Sequence, residues 1–112
     1  MKKILSLLFI VLSFSTIVGC KKVDDTNDLP TLTVGMECDY APFNWTENMK
    51  SDTNHPMYGT NLYAEGYDVQ IAKKIADELG YRLVIKAISW DGLIAALEAG
   101  QIDLIIAGMS DT

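Results

Sequence analysis

Leu104, Ile105, Ile106 and Ala107 form an unbroken apolar run between Asp103 and Gly108. The run is too short for a helix core and shows no alternation. It therefore predicts a strand covered on both faces, as in a parallel sheet. The segment before it reads WDGLIAALEAG from Trp90 to Gly100. There Leu93, Ile94 and Leu97 recur at helical spacing and Gly100 offers a left-handed stop, so a short amphipathic helix is expected. Small and polar residues begin where the strand would end. In open α/β sheets the carboxyl ends of the strands are where ligands sit.

Earlier in the chain the same alternation recurs. Thr31 to Gly35 is β-rich and alternates, predicting a first strand, and Tyr81 to Ile88 predicts another. Between them, Val69, Ala72, Ile75, Ala76 and Leu79 mark one face of a helix that Asp68 would cap and Gly80 would end. Lys73, Lys74, Asp77 and Glu78 fall on its solvated face. Strands alternating with helices imply parallel strands with helices packed on the sheet, an α/β fold. The stretch MECDYAPFNW reads as a loop followed by a short strand or hairpin arm, since Pro42 disfavours helix at Ala41. Thr46 to Glu65 has no hydrophobic period and is expected to be a surface excursion of about twenty residues. His55, the only histidine, then reads as a solvated loop residue.

The amino terminus sets the compartment. Lys2 and Lys3 precede an apolar stretch from Ile4 to Val18, followed by Gly19-Cys20, the layout of an export signal. Ile17-Val18-Gly19-Cys20 resembles a bacterial lipobox, which implies lipidation at Cys20. Residues 1–19 are thus expected to be a lipoprotein signal peptide, 20–30 a flexible polar tether, and 31–112 the folded part. Removing 19 of the 112 residues leaves 93 and takes two lysines away, so the net charge of −6 becomes −8. A small acidic exported domain argues against nucleic-acid binding. With Cys20 acylated, Cys38 has no intramolecular disulfide partner and reads as a small, partly buried residue beside a strand end.

Consecutive parallel strands place their carboxyl ends on one rim. Three segments would meet there: Met36 to Tyr40, Ser89-Trp90, and Ala107 to Ser110. They bring two aromatics (Tyr40, Trp90), an acid (Glu37 or Asp39), the Ser110 hydroxyl and free backbone groups. That mixture suits a small zwitterion with an aliphatic or apolar part. Each residue also has a plainer reading: Trp90 as a core plug, Tyr40 as a turn residue, Ser110 as a helix cap, Glu37 and Asp39 as surface acidity. No Ser/His/acid, Cys/His or metal constellation can be assembled, and nothing marks a paired-carboxylate enzyme.

TLTVGMECDYAPFNW, GYDVQIAKKIADELG and SWDGLIAALEAGQIDLIIAGMSDT together resemble the extracytoplasmic solute-binding proteins of bacterial amino-acid ABC importers, the polar amino-acid branch. The resemblance implies a type II periplasmic-binding-protein-like fold, here a partial first lobe with a parallel sheet and flanking helices. It implies a receptor without cofactor or catalysis, expected to be monomeric, that is lipid-anchored on the outer face of the cytoplasmic membrane. Such a receptor closes on an amino acid between two lobes and delivers it to ABC permease subunits. By position, Tyr40 and Trp90 match the family's pocket-wall aromatics, Ala107 and Gly108 its backbone contacts to the amino group, and Ser110 its hydroxyl contact. Glu37 falls near a position that is acidic in some members. Family members are more than twice as long, and the arginine that grips the α-carboxylate is expected a few residues past Thr112. The resemblance thus implies a truncated receptor and weak or no specific binding by this chain alone. Two rivals carry similar modules: enzymes, namely dehydratases and membrane-bound lytic transglycosylases, and the sensor domains of membrane kinases.

Overall fold

The computed structural model describes residues 28–110. The expected signal peptide, Cys20, most of the tether, Asp111 and Thr112 lie outside them. In chain order the elements are β1 (Thr31–Met36), β2 (Asp39–Tyr40), β3 (Asn44–Glu47), β4 (His55–Pro56), β5 (Tyr63–Glu65), α1 (Tyr67–Leu79), β6 (Arg82–Ala87), α2 (Trp90–Glu98) and β7 (Leu104–Ile105).

The main sheet has the order β6-β1-β7, with β1 parallel to both neighbours. Val34 faces Ile85 on one side and Leu104 on the other. β1 is central and bonded on both sides, α2 packs on it, and Val34 and Met36 are fully buried. α1 packs against β6 through Val69, Ala72 and Ala76, while α2 packs on β1 and β7 through Leu93 and Ala96. Gly35 explains how closely α2 approaches. A Cβ there would lie 2.6 Å from Ile102 Cδ1 and 3.1 Å from Leu93 Cδ2. The missing side chain is the space those two occupy, and burying Leu93 completely is worth about 2 kcal/mol.

The expected α/β class and parallel sheet are present, but several sequence expectations need correction. The excursion from Thr46 to Glu65 is folded: it supplies most of a second, antiparallel sheet of order β2-β3-β5-β4. Met57, Ala64 and Asn54 are buried within it. Met57 bridges to Ile85, and Tyr58 N–H donates to the Ile85 carbonyl at 2.8 Å, so this segment runs along the edge of β6. His55 belongs to that junction and is half-buried, with Nε2 3.1 Å from the Leu83 carbonyl oxygen. It is no solvated loop residue.

Helix faces also differ. Leu79 and Leu97 were expected on the packed faces but are 53 % and 39 % exposed, and Ile94 is 56 % exposed. Ala96 takes the inward position on α2 beside Leu93 and is buried. α1 starts at Gly66 with no side-chain cap; Asp68 sits instead within the first turn, buried, and serves another partner. β7 is shorter than the apolar run: only Leu104 and Ile105 join the ladder, and both are half-buried. Because both side chains are half-buried, full cover on both faces does not hold among the described residues.

Candidate functional site

All three parallel strands deliver their carboxyl ends to one rim. Past β1 the backbone remains tied to the β6 exit, where Ile88 N–H donates to the Met36 carbonyl at 2.9 Å. Cys38 then takes a left-handed conformation, φ 59°, that turns the chain into β2. A non-glycine residue in that region must be held there, and two bonds hold it. Its N–H donates to Asn44 Oδ1 at 2.7 Å, and its carbonyl accepts from Thr46 Oγ1 at 2.8 Å. Asn44, wholly buried, spends its amide on Asp68, with Nδ2 2.9 Å from Oδ2. Burial pushes the Cys38 thiol up to about 11.

Between Cys38 and Asn44 the chain reverses. Phe43 N–H donates to the Tyr40 carbonyl at 2.9 Å, and the Ala41–Pro42 peptide is cis. The Tyr40 and Phe43 rings lie 5.0 Å apart at 34°. Gly108, where the chain leaves β7, rests against both. Its φ is +62°, and a Cβ there would lie 2.9 Å from Tyr40 Cε1 and 3.0 Å from Phe43 Cγ. α2 opens at the same rim with Trp90, directly after Ser89.

The result is a cleft of about 450 Å³ lined by Glu37, Tyr40, Trp90, Gly108 and Ser110. The volume falls within the range of small-molecule sites. Five of the six candidate ligand residues, drawn from three segments far apart in sequence, therefore meet. Ala107 does not line the cleft; its side chain is buried behind the rim. Tyr40 and Trp90 are 44 % and 45 % exposed, so Trp90 is not a core plug. Tyr40 closes the turn with its carbonyl and still offers its ring to the cleft. Asp39 is exposed and absent from the lining, which leaves Glu37 as the cleft's carboxylate.

Phe43, Asn44 and Asp68 shape this site; the sequence marked Asp68 only as a helix cap and gave Phe43 and Asn44 no site role. The one available signal was an asparagine set between Phe43 and Trp45, a polar residue where the aromatics suggest cover. Among the described residues, no group of three His, Cys, Asp or Glu side chains could hold a metal ion. No described helix is long and apolar enough to cross a membrane.

A parallel α/β layer with its helices and a rim cleft of this kind is the architecture of a type II periplasmic binding protein lobe, and solved structures agree. The arginine-bound form of domain 1 from TmArgBP superposes with a TM-score of 0.58 at 36 % identity, over 73 % of this chain and 56 % of that one. The L-cystine solute receptor of Neisseria gonorrhoeae, in its unliganded open conformation, gives 0.55 at 32 % identity, over 75 % and 30 % of the two chains.

Residues 32–112 match the family model of bacterial extracellular solute-binding proteins, family 3, and the chain belongs to that family. Among its relatives, the arginine-binding extracellular protein ArtP of Bacillus subtilis is 33 % identical over 72 % of this chain and 27 % of its own length. A probable amino-acid ABC transporter-binding protein of Haemophilus influenzae is 34 % identical over 94 % of this chain and 38 % of its own. The chain thus spans well under half the length of these relatives.

Proposed function

We propose that this chain forms part of the amino-terminal lobe of a receptor that binds a free amino acid and passes it to an ABC permease, without catalysis. In the same proposal residues 1–19 export the chain, Cys20 carries a lipid anchor outside the cytoplasmic membrane, 20–30 are a tether and 31–112 the partial lobe. The observation that carries it is the convergence of Glu37, Tyr40, Trp90, Gly108 and Ser110 on one cleft at the strand carboxyl ends. Tyr40 and Trp90 enclose the aliphatic part of the ligand. Ser110 and the backbone around Ala107 and Gly108 receive the ammonium group.

Glu37 is then left to face the ligand side chain, which favours an amino acid with a cationic end. ArtP and TmArgBP, whose descriptions name arginine, are consistent with that choice. Binding by this chain alone is weak or absent.

The test is a nuclear magnetic resonance titration of the 112-residue chain with each common amino acid up to about 50 mM, well above the millimolar range where contacts of about −4 kcal/mol saturate. Shifts should gather at the Trp90 indole N–H and the Gly108 and Ser110 amides, be largest for arginine and lysine, and lose that preference in Glu37→Gln. Shifts that gather elsewhere, or saturation at micromolar concentrations, would sink the proposal.

A further inference from the structure

A second hollow, of about 310 Å³, shares no lining residue with the cleft. Its wall includes Pro42 from the hairpin turn, Trp45 of β3, Glu65 at the end of β5, and Tyr67 and Gln70 of α1. We propose that it is a binding site for a guanidinium or ammonium group on an apolar stem, seated against the rings of Trp45 and Tyr67 with the Glu65 carboxylate as its counter-ion.

Two aromatic faces beside a fixed carboxylate are what an organic cation uses, since ring faces attract cations and the stem lies on apolar carbon. Tyr67 is 64 % exposed although its backbone is anchored, with its N–H donating to the Pro42 carbonyl at 3.2 Å. The Trp45 ring is held by its own edge, Nε1 donating to Glu47 Oε1 at 2.7 Å, which adds a second acid at that end. Glu65 is equally fixed. One oxygen accepts from Gly66 N–H at 3.0 Å, and the other from Thr53 Oγ1 at 2.7 Å and Ser51 Oγ at 3.3 Å.

Partial burial pushes the Glu65 pKa up, but those donors and nearby Lys73 outweigh it and hold the group below its ordinary value, so it stays charged at neutral pH. Lys73 does not line the hollow: its Nζ donates to the Thr53 carbonyl at 3.0 Å, beside Gln70 Nε2 at 2.7 Å. In a chain of net charge −6, an anionic occupant is disfavoured.

The chain has two tryptophans, so Trp90→Phe leaves Trp45 as the sole reporter. The probe is butylguanidinium, which lacks the carboxylate and ammonium of an amino acid; Trp45 lines this hollow and not the cleft, and Glu37→Gln separates any response that comes from the cleft. Trp45 emission should change saturably, with a half-point of about 1–10 mM. The affinity should fall at least about fivefold in Glu65→Gln and in Tyr67→Ala, and hold in Glu37→Gln. Neutral butylurea should give no response. Absence of saturation, an equal response to butylurea, or retention of the response in both Glu65→Gln and Tyr67→Ala would each overturn the site. Should Glu65→Gln unsettle the Ser51–Thr53 loop, the exposed Tyr67→Ala decides alone. A blocked tripeptide with central arginine distinguishes the sources within the proposal. Binding about tenfold tighter than butylguanidinium marks a protein side chain as the occupant, and equal binding marks a free cation.

Discussion

Asn44→Ala tests whether one buried amide holds the rim together. Asn44 is fully buried and joins two groups that have little access to water: the Cys38 N–H at 2.7 Å and the Asp68 carboxylate at 2.9 Å. Alanine removes both bonds and replaces neither. An unsatisfied buried N–H costs about 1–3 kcal/mol, and a carboxylate left short of a donor at 4 % exposure costs at least as much. Together with the lost packing, the expected destabilisation is about 3–5 kcal/mol, a large part of the stability of an ordinary domain. Urea unfolding followed by circular dichroism reads it as a lowered midpoint.

The cycle with Asp68→Ala separates the pair from its surroundings. If the two groups act through their bond, the double variant should lose less than the sum of the singles by about 1–3 kcal/mol. Asp68→Asn, which keeps the shape and one amide bond, should cost much less than Asn44→Ala. A loss below about 1 kcal/mol for Asn44→Ala, within the scatter of surface substitutions, would refute the idea that this amide fixes the left-handed turn at Cys38.

Gly108→Ala should cost about 1–2 kcal/mol from its positive φ alone, and more from contact with the Tyr40 and Phe43 rings. A lowered urea midpoint with altered near-ultraviolet tyrosine signals would register it. Burial lowers the His55 pKa from its ordinary 6.5, with the Leu83 carbonyl opposing and Lys73 reinforcing that shift. Its contribution to stability is therefore complete above about pH 6.5 and lost as pH falls toward the lower folded value, where only the unfolded chain takes up a proton. The midpoint should drop between pH 7.5 and 5.5, and His55→Gln should flatten that slope. Glu65, also lowered, acts only below its ordinary 4.5, a separate window. At pH 8 a thiol with a pKa of about 11 is ionised in about one molecule in a thousand, so alkylation of Cys38 should be far slower than that of a free thiol until urea unfolds the chain.

The parallel sheet and both helices were legible because each spans more than one hydrophobic period, or a run too apolar to be anything but interior. Of the second sheet only the hairpin arm in MECDYAPFNW, now β2 and β3, was legible; the rest was not, because its strands are two to four residues long and cannot display alternation. Its buried positions also include Asn44 and Asn54, which composition assigns to the surface. Periodicity gave the helix spacing but could not rank the apolar positions on it. Leu97 and Ala96 are adjacent, yet the smaller one is buried and the larger is 39 % exposed, a choice made by the elements α2 packs on and not by its own spacing. The rim residues were legible for a different reason. They follow strand ends, and parallel order alone puts those ends together.

The fold divides stability from recognition by position along each strand. Val34, Met36, Ile85 and Leu93 are fully covered and carry the burial energy, about 1.5–3 kcal/mol each. Two residues past β1 and three past β7, Cys38 and Gly108 adopt left-handed conformations at φ 59° and 62°. Those turns end the ladders and swing the chain across the rim, where Tyr40 and Trp90 keep nearly half their surface in water. Two large rings left open on the same concave surface are apolar area that folding has not used, and a ligand entering the cleft would cover it. Substitutions at Tyr40 or Trp90 should therefore weaken binding far more than folding. At Met36 or Leu93 the order reverses, since those side chains touch no cleft and complete the layer on which the rim stands.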